Sequence, residues 1–212
     1  MSPIRAISGL YAVTPDCHDT EALLRRVRCA LEGGASVLQY RNKAADDRLR
    51  LVQARALREL TQTFDVPLII NDDVQLAARV EADGVHLGEA DASLETARKV
   101  LGKDKIVGVS CYNQLSLARE AAGTGADYVA FGAFFPSSVK PGAVSAGVDL
   151  LRQARELAVP MVAIGGISPA KGAVLVQAGA DALAVISALF NAIDIRATAQ
   201  EFSKLFSRDF AS

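Results

Sequence analysis

Residues 68–91 read LIINDDVQLAARVEADGVHLGEAD. Two short apolar runs, Pro67 to Ile70 and Gly84 to Leu87, each give way at their C-terminal side to a carboxylate, Asp72 after the first and Asp91 after the second. The apolar spacing between them predicts a short helix over Val74 to Val80. Strand, helix and strand in that order make a parallel pair, which brings both carboxylates to the same end of the sheet. Two like charges held close together repel and raise each other's pKa unless a cation lies between them. Oxygen ligands suit a hard ion such as Mg²⁺, so this stretch predicts a parallel sheet and, at its edge, a metal site made by Asp72 and Asp91.

The same rhythm continues in both directions. Apolar runs predict strands at Leu10 to Thr14, Ser36 to Tyr40, Ile106 to Ser110, Tyr128 to Gly132, Met161 to Ile164 and Ala182 to Ile186, which with the first two make eight. Between them, Glu21 to Leu31, Arg48 to Thr63, Leu94 to Leu101, Leu115 to Ala122, Leu150 to Leu157 and Ala170 to Gln177 place apolar side chains at helical spacing. A two-unit repeat overlies this order, because the small pairs Ala35-Ser36, Ala82-Asp83, Ala126-Asp127 and Ala180-Asp181 precede the even strands. Tight helix-to-strand turns favour small residues anywhere, but alternate strands of a closed barrel also fill alternate interior layers. Eight strand-helix units in 212 residues predict an α/β chain folded as a single (β/α)8 TIM barrel, with an open doubly wound sheet as the other architecture.

Composition narrows the partners. Half of the residues are hydrophobic and 22% are charged, with a net charge of −1 and no basic stripe, so no nucleic-acid partner is expected. The three cysteines, Cys17, Cys29 and Cys111, are too far apart for a zinc knuckle or a disulfide framework and fit a reducing cytoplasm. The longest apolar stretch, Ala182 to Ile193, is too short for about 30 Å of hydrocarbon, so no membrane span is expected. No targeting segment is recognisable at the N-terminus.

Sites in parallel α/β folds form at the C-terminal ends of the strands. After the second strand, alternation sends Gln39, Arg41 and Lys43 to one face and Leu38 and Tyr40 to the other. Cationic groups aimed into a barrel mouth ask for an anionic ligand; if the strand stops at Tyr40, they are instead solvated loop charges. Asn71 closes strand three, and either Asp72 or Asp73 could cap the helix that follows. Asp91 could be a loop residue, with Ser93 as the next cap. His86 reads as a packed histidine, Ser110 brings a hydroxyl to the mouth, and Cys111 has no base near it in sequence. The irregular segment from Ala133 to Gly147 has the composition of a lid over phosphate or of a plain surface loop. Gly165-Gly166 with the Ser168-Pro169 helix start, and Ile186-Ser187, predict a phosphate site of the kind many barrels build after strands seven and eight.

In order along nearly the whole chain, Gln39-Tyr40-Arg41-Asn42-Lys43, Ile70-Asn71-Asp72, Gly84-Val85-His86-Leu87-Gly88 with Asp91, Gly108-Val109-Ser110, Gly132 through Lys140, Ile164-Gly165-Gly166 and Ile186-Ser187 resemble the thiamine-phosphate synthase family. The resemblance implies a transferase that joins hydroxymethylpyrimidine diphosphate to a thiazole phosphate, releasing diphosphate by dissociative loss assisted by Mg²⁺. Its two partners are then phosphorylated small molecules. It implies that Gln39, Tyr40, Arg41, Asn42, Lys43, Asn71, Ser110 and Lys140 meet the pyrimidine diphosphate, with Arg41, Lys43, Ser110 and Lys140 acting in catalysis. Asp72 and Asp91 would carry Mg²⁺, and Ser137, Ser138, Val139, Gly166, Ile186 and Ser187 would meet the thiazole phosphate.

The chain departs from that pattern at Asn42, where a glutamate is common, and at Val139, where threonine is usual. A hydrogen bond to a charged phosphate contributes roughly 1.5–3 kcal/mol, so the missing Val139 hydroxyl predicts weaker thiazole phosphate binding. A thiazole tautomerase of the same superfamily, or a non-catalytic phosphate sensor, are the other readings. Neither has use for Asp72, Asp91 and Lys140 together.

Overall fold

The computed structural model describes residues 7–136 and 145–207. Its strands are β1 (Gly9–Val13), β2 (Ala35–Tyr40), β3 (Leu68–Asn71), β4 (Gly84–Leu87), β5 (Ile106–Tyr112), β6 (Tyr128–Phe131), β7 (Met161–Ile164) and β8 (Ala182–Val185). They pair in parallel in sequence order, and β1 returns to β8 from Gly9 opposite Ala182 to Ala12 opposite Val185. That last pairing closes the barrel and excludes the open sheet.

The helices are α1 (Thr20–Glu32), α2 (Asp47–Phe64), α3 (Val74–Arg79), α4 (Leu94–Leu101), α5 (Leu115–Gly123), α6 (Asp149–Gln153), α7 (Pro169–Ala178), α8 (Ser187–Phe190) and α9 (Ile195–Lys204). The last two were not anticipated; α9 buries Ala199 and Phe202 and packs against α1 and β1, where it covers the seam of closure. The expected helix over Leu150 to Leu157 is instead α6 followed by a 3₁₀ turn at Ala154–Glu156. Pro160 restricts the residue before it to extended backbone, so the helix must end early enough for the chain to straighten into β7. β5 runs past Ser110 through Tyr112, with a register shift against β6 between those two residues.

Alternation along each strand divides the core in two. Tyr11, Val13, Val37, Ile69, Ile106, Tyr128, Ala130, Val162, Ala182 and Ala184 fill the barrel interior. Their neighbours Leu10, Ala12, Leu38, Tyr40, Leu68, Ile70, Val107, Val129, Ala163 and Leu183 pack outward beneath the helices. The interior holds two full tyrosine side chains because β5 yields space: a Cβ at Gly108 would lie 1.9 Å from Tyr128 Cζ.

The two-unit repeat has a structural purpose. Asp83 Oδ2 accepts from Leu68 N (2.8 Å), Asp127 Oδ2 from Val107 N (2.6 Å) and Asp181 Oδ2 from Met161 N (2.7 Å). Each aspartate therefore holds a backbone N–H at the start of the preceding strand. Arg58 from α2 and Arg98 from α4 add charge-assisted bonds of 2.6 Å to Asp83 and Asp127. In the third copy Arg155 donates to the Gln177 carbonyl instead, at 3.1 Å. In the fourth pair the Ser36 hydroxyl donates to the Ser8 carbonyl. These latches lie at the N-terminal end of the barrel, opposite the site, where barrel residues serve stability.

Candidate active site

The C-terminal rim of β2, β3 and β4 gathers charge. Thr14 Oγ1, just past β1, accepts from Arg41 N and donates to Arg41 O, both at 2.8 Å. The end of β2 is thereby stitched to its neighbour rather than released as a loop. Asp16 Oδ1 accepts from the Arg41 guanidinium at 3.2 Å and from Lys43 N at 2.7 Å. Lys43 Nζ reaches Asp72 Oδ2 at 3.5 Å. Both cations are thus held over the mouth, and the Arg41 side chain keeps only 17% of its exposure.

The alternatives left open for the acidic residues are resolved by division of labour. Asp73 caps α3, accepting from Leu76 N at 2.8 Å, and Ser93 caps α4. Asp72 and Asp91 are therefore free of capping. Asp72 takes the left-handed backbone (φ 64°), rare outside glycine, as it turns off the strand end. Its carboxyl stands within hydrogen-bonding reach of Asp91, and its pKa is raised, first by burial and then by the bond and charge of Asp91, against the opposing pull of Lys43. Asp91 Oδ2 also accepts from Gly88 N at 2.7 Å. Among the described residues no group of three or more acidic, histidine or cysteine side chains could enclose a metal. A pair of carboxylates fits Mg²⁺, which takes one or two such groups together with water and substrate phosphate.

Beneath this rim lies a chain of polar side chains inside the barrel. Gln39 Nε2 donates to Tyr11 Oη (3.0 Å), Tyr11 Oη bonds Tyr128 Oη (2.8 Å), and Tyr128 Oη bonds His86 Nδ1 (2.9 Å). His86 Nε2 in turn meets Ser110 Oγ at 2.9 Å. Burial pushes both phenols far above the ordinary tyrosine value.

Across the mouth, a cavity of about 240 Å³ opens where β7 and β8 end, lined by Pro136, Gly166, Ser168, Ile186 and Ser187 among others. Gly166 (φ +60°) admits the approach: a Cβ there would stand 2.4 Å from Pro136 O. Ser168 caps α7 with Pro169 in its first turn, as its sequence suggested.

The thiamine monophosphate synthase family model matches residues 10–189. The chain belongs to this family. It is 56% identical over 201 residues to the thiamine-phosphate synthase of Methylobacillus flagellatus, covering 95% of this chain and 96% of that one. The enzyme of the same name from Nitrosospira multiformis is 54% identical, covering 98% of this chain and 89% of its relative. Among solved structures, thiamine phosphate pyrophosphorylase from Pyrococcus furiosus superposes with a TM-score of 0.83 at 36% identity, over 93% of this chain and 94% of the other.

Two residues that the family resemblance suggested for the pyrimidine face have their side chains engaged elsewhere. Tyr40 and Asn42 turn away from the mouth into the layer beneath α2. Tyr40 Oη donates to Gln53 Oε1 (2.9 Å), and Asn42 Nδ2 donates to Gln53 Oε1 (3.0 Å) and to Cys17 O (2.6 Å). Strand alternation carries Tyr40 outward, while Asn42, just past the strand, is drawn to the buried Gln53. Cys111 is buried with its thiol pushed up to about 12, which suits packing rather than nucleophilic chemistry. Ser137, Ser138, Val139 and Lys140 lie outside the described residues. Asp16 was missed by sequence reasoning, although the rule used for β3 and β4, an acid just past a strand end, would have found it. Tyr11 and Tyr128 carried no such signal, since their partnership spans 117 residues.

Proposed function

We propose that this chain is a thiamine-phosphate synthase whose mouth is divided between two substrates. A hydroxymethylpyrimidine diphosphate binds over β2 to β5, and a thiazole phosphate binds against β7 and β8. The observation that carries this reading is the Asp72–Asp91 pair, which burial and mutual repulsion leave in want of a cation, with Lys43 beside it. Asp72 and Asp91 would hold Mg²⁺, which when bound supplies positive charge to the oxygens of the departing diphosphate.

The remaining work falls to the protein's own side chains. Breaking the C–O bond leaves negative charge on diphosphate and positive charge on the aminopyrimidine. At an effective dielectric of about 20, each cation about 4 Å from a unit anionic charge contributes roughly 4 kcal/mol before desolvation. Lys43 and Arg41, already oriented by Asp72 and Asp16, are placed to act in this way without reorganising during the reaction. Gln39 and Ser110 orient the pyrimidine half. The β7–β8 cavity, with Gly166, Ile186 and Ser187, takes the thiazole phosphate and so presents the ring nitrogen to the carbon left behind. By the family pattern Lys140 would add a further cation to the departing diphosphate, and Ser137, Ser138 and Val139 would meet the thiazole phosphate.

The direct test is to incubate the protein with both phosphorylated substrates and Mg²⁺ and to look for thiamine phosphate and diphosphate in equal amounts. Absence of both products with intact substrates would refute the assignment.

A further inference from the structure

The polar chain inside the barrel has a direction. A phenol has one proton to donate, and a neutral imidazole donates from one nitrogen and accepts at the other. Gln39 donates its amide N–H to Tyr11, and the arrangement that then leaves no phenol proton unused sends the Tyr11 proton to Tyr128 and the Tyr128 proton to His86 Nδ1. His86 then carries its own proton on Nε2 and gives it to Ser110 Oγ. Burial keeps both phenols protonated, so ionisation does not scramble the order. Ser110, having accepted from His86, has its own hydroxyl proton left, and among the described residues no acceptor takes it.

We propose that Tyr11, Tyr128 and His86 are positioning residues: their one-way relay, started by the Gln39 amide, holds Ser110 as a hydrogen-bond donor toward an acceptor atom of the pyrimidine diphosphate. The proposal deepens the function given above and rests on it in one respect, that Ser110 touches this substrate. The relay crosses five strands, β2, β1, β6, β4 and β5, and both its ends lie among the groups assigned to one ligand. His86 and Tyr128 also stack, with ring centroids 5.5 Å apart and planes at 21°, which fixes the imidazole plane along the relay. Gly108 has no side chain to displace Tyr128 from that line.

The chain has only two histidines, His18 and His86. In a His18→Gln background, imidazole nitrogen NMR therefore reads His86 alone. The expected spectrum is a neutral ring with its proton on Nε2, giving way to mixed tautomers in Tyr128→Phe and, as a second variant should that one not fold, in Tyr11→Phe. A proton on Nδ1 in the otherwise unaltered protein overturns the relay. In steady-state kinetics, Tyr128→Phe should lower kcat/KM for the pyrimidine diphosphate roughly 10- to 100-fold, the range of one hydrogen bond to a charged group, with KM for the thiazole phosphate unchanged. Added to Ser110→Ala, the same substitution should cost no more than about twofold, because residues acting through one another are not additive. Full multiplication of the two effects overturns the proposal and leaves Ser110 in the site. Wild-type kinetics in Ser110→Ala would remove the ligand contact itself, a failure of the site assignment that takes the relay's purpose with it.

Discussion

Replacing Asp91 with asparagine separates the two duties of that side chain. The amide oxygen of Asn can still accept from Gly88 N, a bond now 2.7 Å long, so the loop after β4 keeps its shape. The charge beside Asp72 is lost. A unit charge about 4 Å from a divalent ion interacts by roughly 8 kcal/mol at an effective dielectric of about 20. Because Asp91 is itself partly exposed, solvent screens most of this, and a net loss of about 2–3 kcal/mol is expected. That corresponds to a requirement for Mg²⁺ roughly 30- to 160-fold higher. The metal-free protein should respond in the opposite sense. A carboxyl whose folded pKa is raised above its unfolded value contributes stability that is present at low pH and is lost as pH rises through the folded pKa. Asp72 is raised from 3.8 by burial and by Asp91, so at neutral pH the charged pair destabilises the fold. Without Mg²⁺, Asp91→Asn should therefore melt above the parent at pH 7, and the two curves should converge as pH falls below the ordinary carboxylate value. Thermal melts across pH, with and without Mg²⁺ and diphosphate, together with initial rates against Mg²⁺ concentration, read both effects. An unchanged Mg²⁺ dependence, or a metal-free variant that melts below the parent at pH 7, would refute the reasoning.

Gly166→Ala forces a Cβ to within 2.4 Å of Pro136 O at a positive φ, so KM for the thiazole phosphate should rise roughly tenfold; a selective change in pyrimidine diphosphate kinetics instead would assign the cavity wrongly. Asp127→Ala strips Arg98 and Val107 N of a shared acceptor and should lose about 3–5 kcal/mol in urea unfolding. Asp181→Ala, whose carboxylate bonds Met161 N with no arginine donor among the described residues, should lose only about 1–3 kcal/mol, and equal losses would contradict the role given to the arginine. Gly108→Ala meets Tyr128 Cζ at 1.9 Å and should cost about 3 kcal/mol; a variant with native stability would show that the Tyr128 ring can move aside.

Much of the barrel was legible because periodicity is local. Runs such as Leu68–Asn71 and Gly84–Leu87, and the spacing of Leu23, Val27 and Ala30 on α1, carry their burial pattern within a few residues. The helices after β8 were overlooked because Ala182 to Ile193 reads as one apolar run, in which the end of a strand and a four-residue helix leave no break in hydrophobicity. The Ala-Asp repeat was visible as a pattern, but its meaning was not. That an aspartate at the foot of an even strand holds an N–H at the start of the strand before it depends on parallel pairing between distant segments.

By itself, then, the amino-acid order determined eight strands, the helices that follow the first seven, and the identity of the residues that emerge at strand ends, because alternation and the polarity of a parallel strand depend only on near neighbours. Only the tertiary structure decided partnership. Closure of β1 on β8 brings Tyr11 to Tyr128, the turn off β3 brings Asp72 to Asp91 and sends Asp73 to its helix, and a loop before α1 supplies Asp16 to Arg41. Hydrogen bonds and charge pairs of this kind are set by distances across the barrel, and no local period in the chain records them.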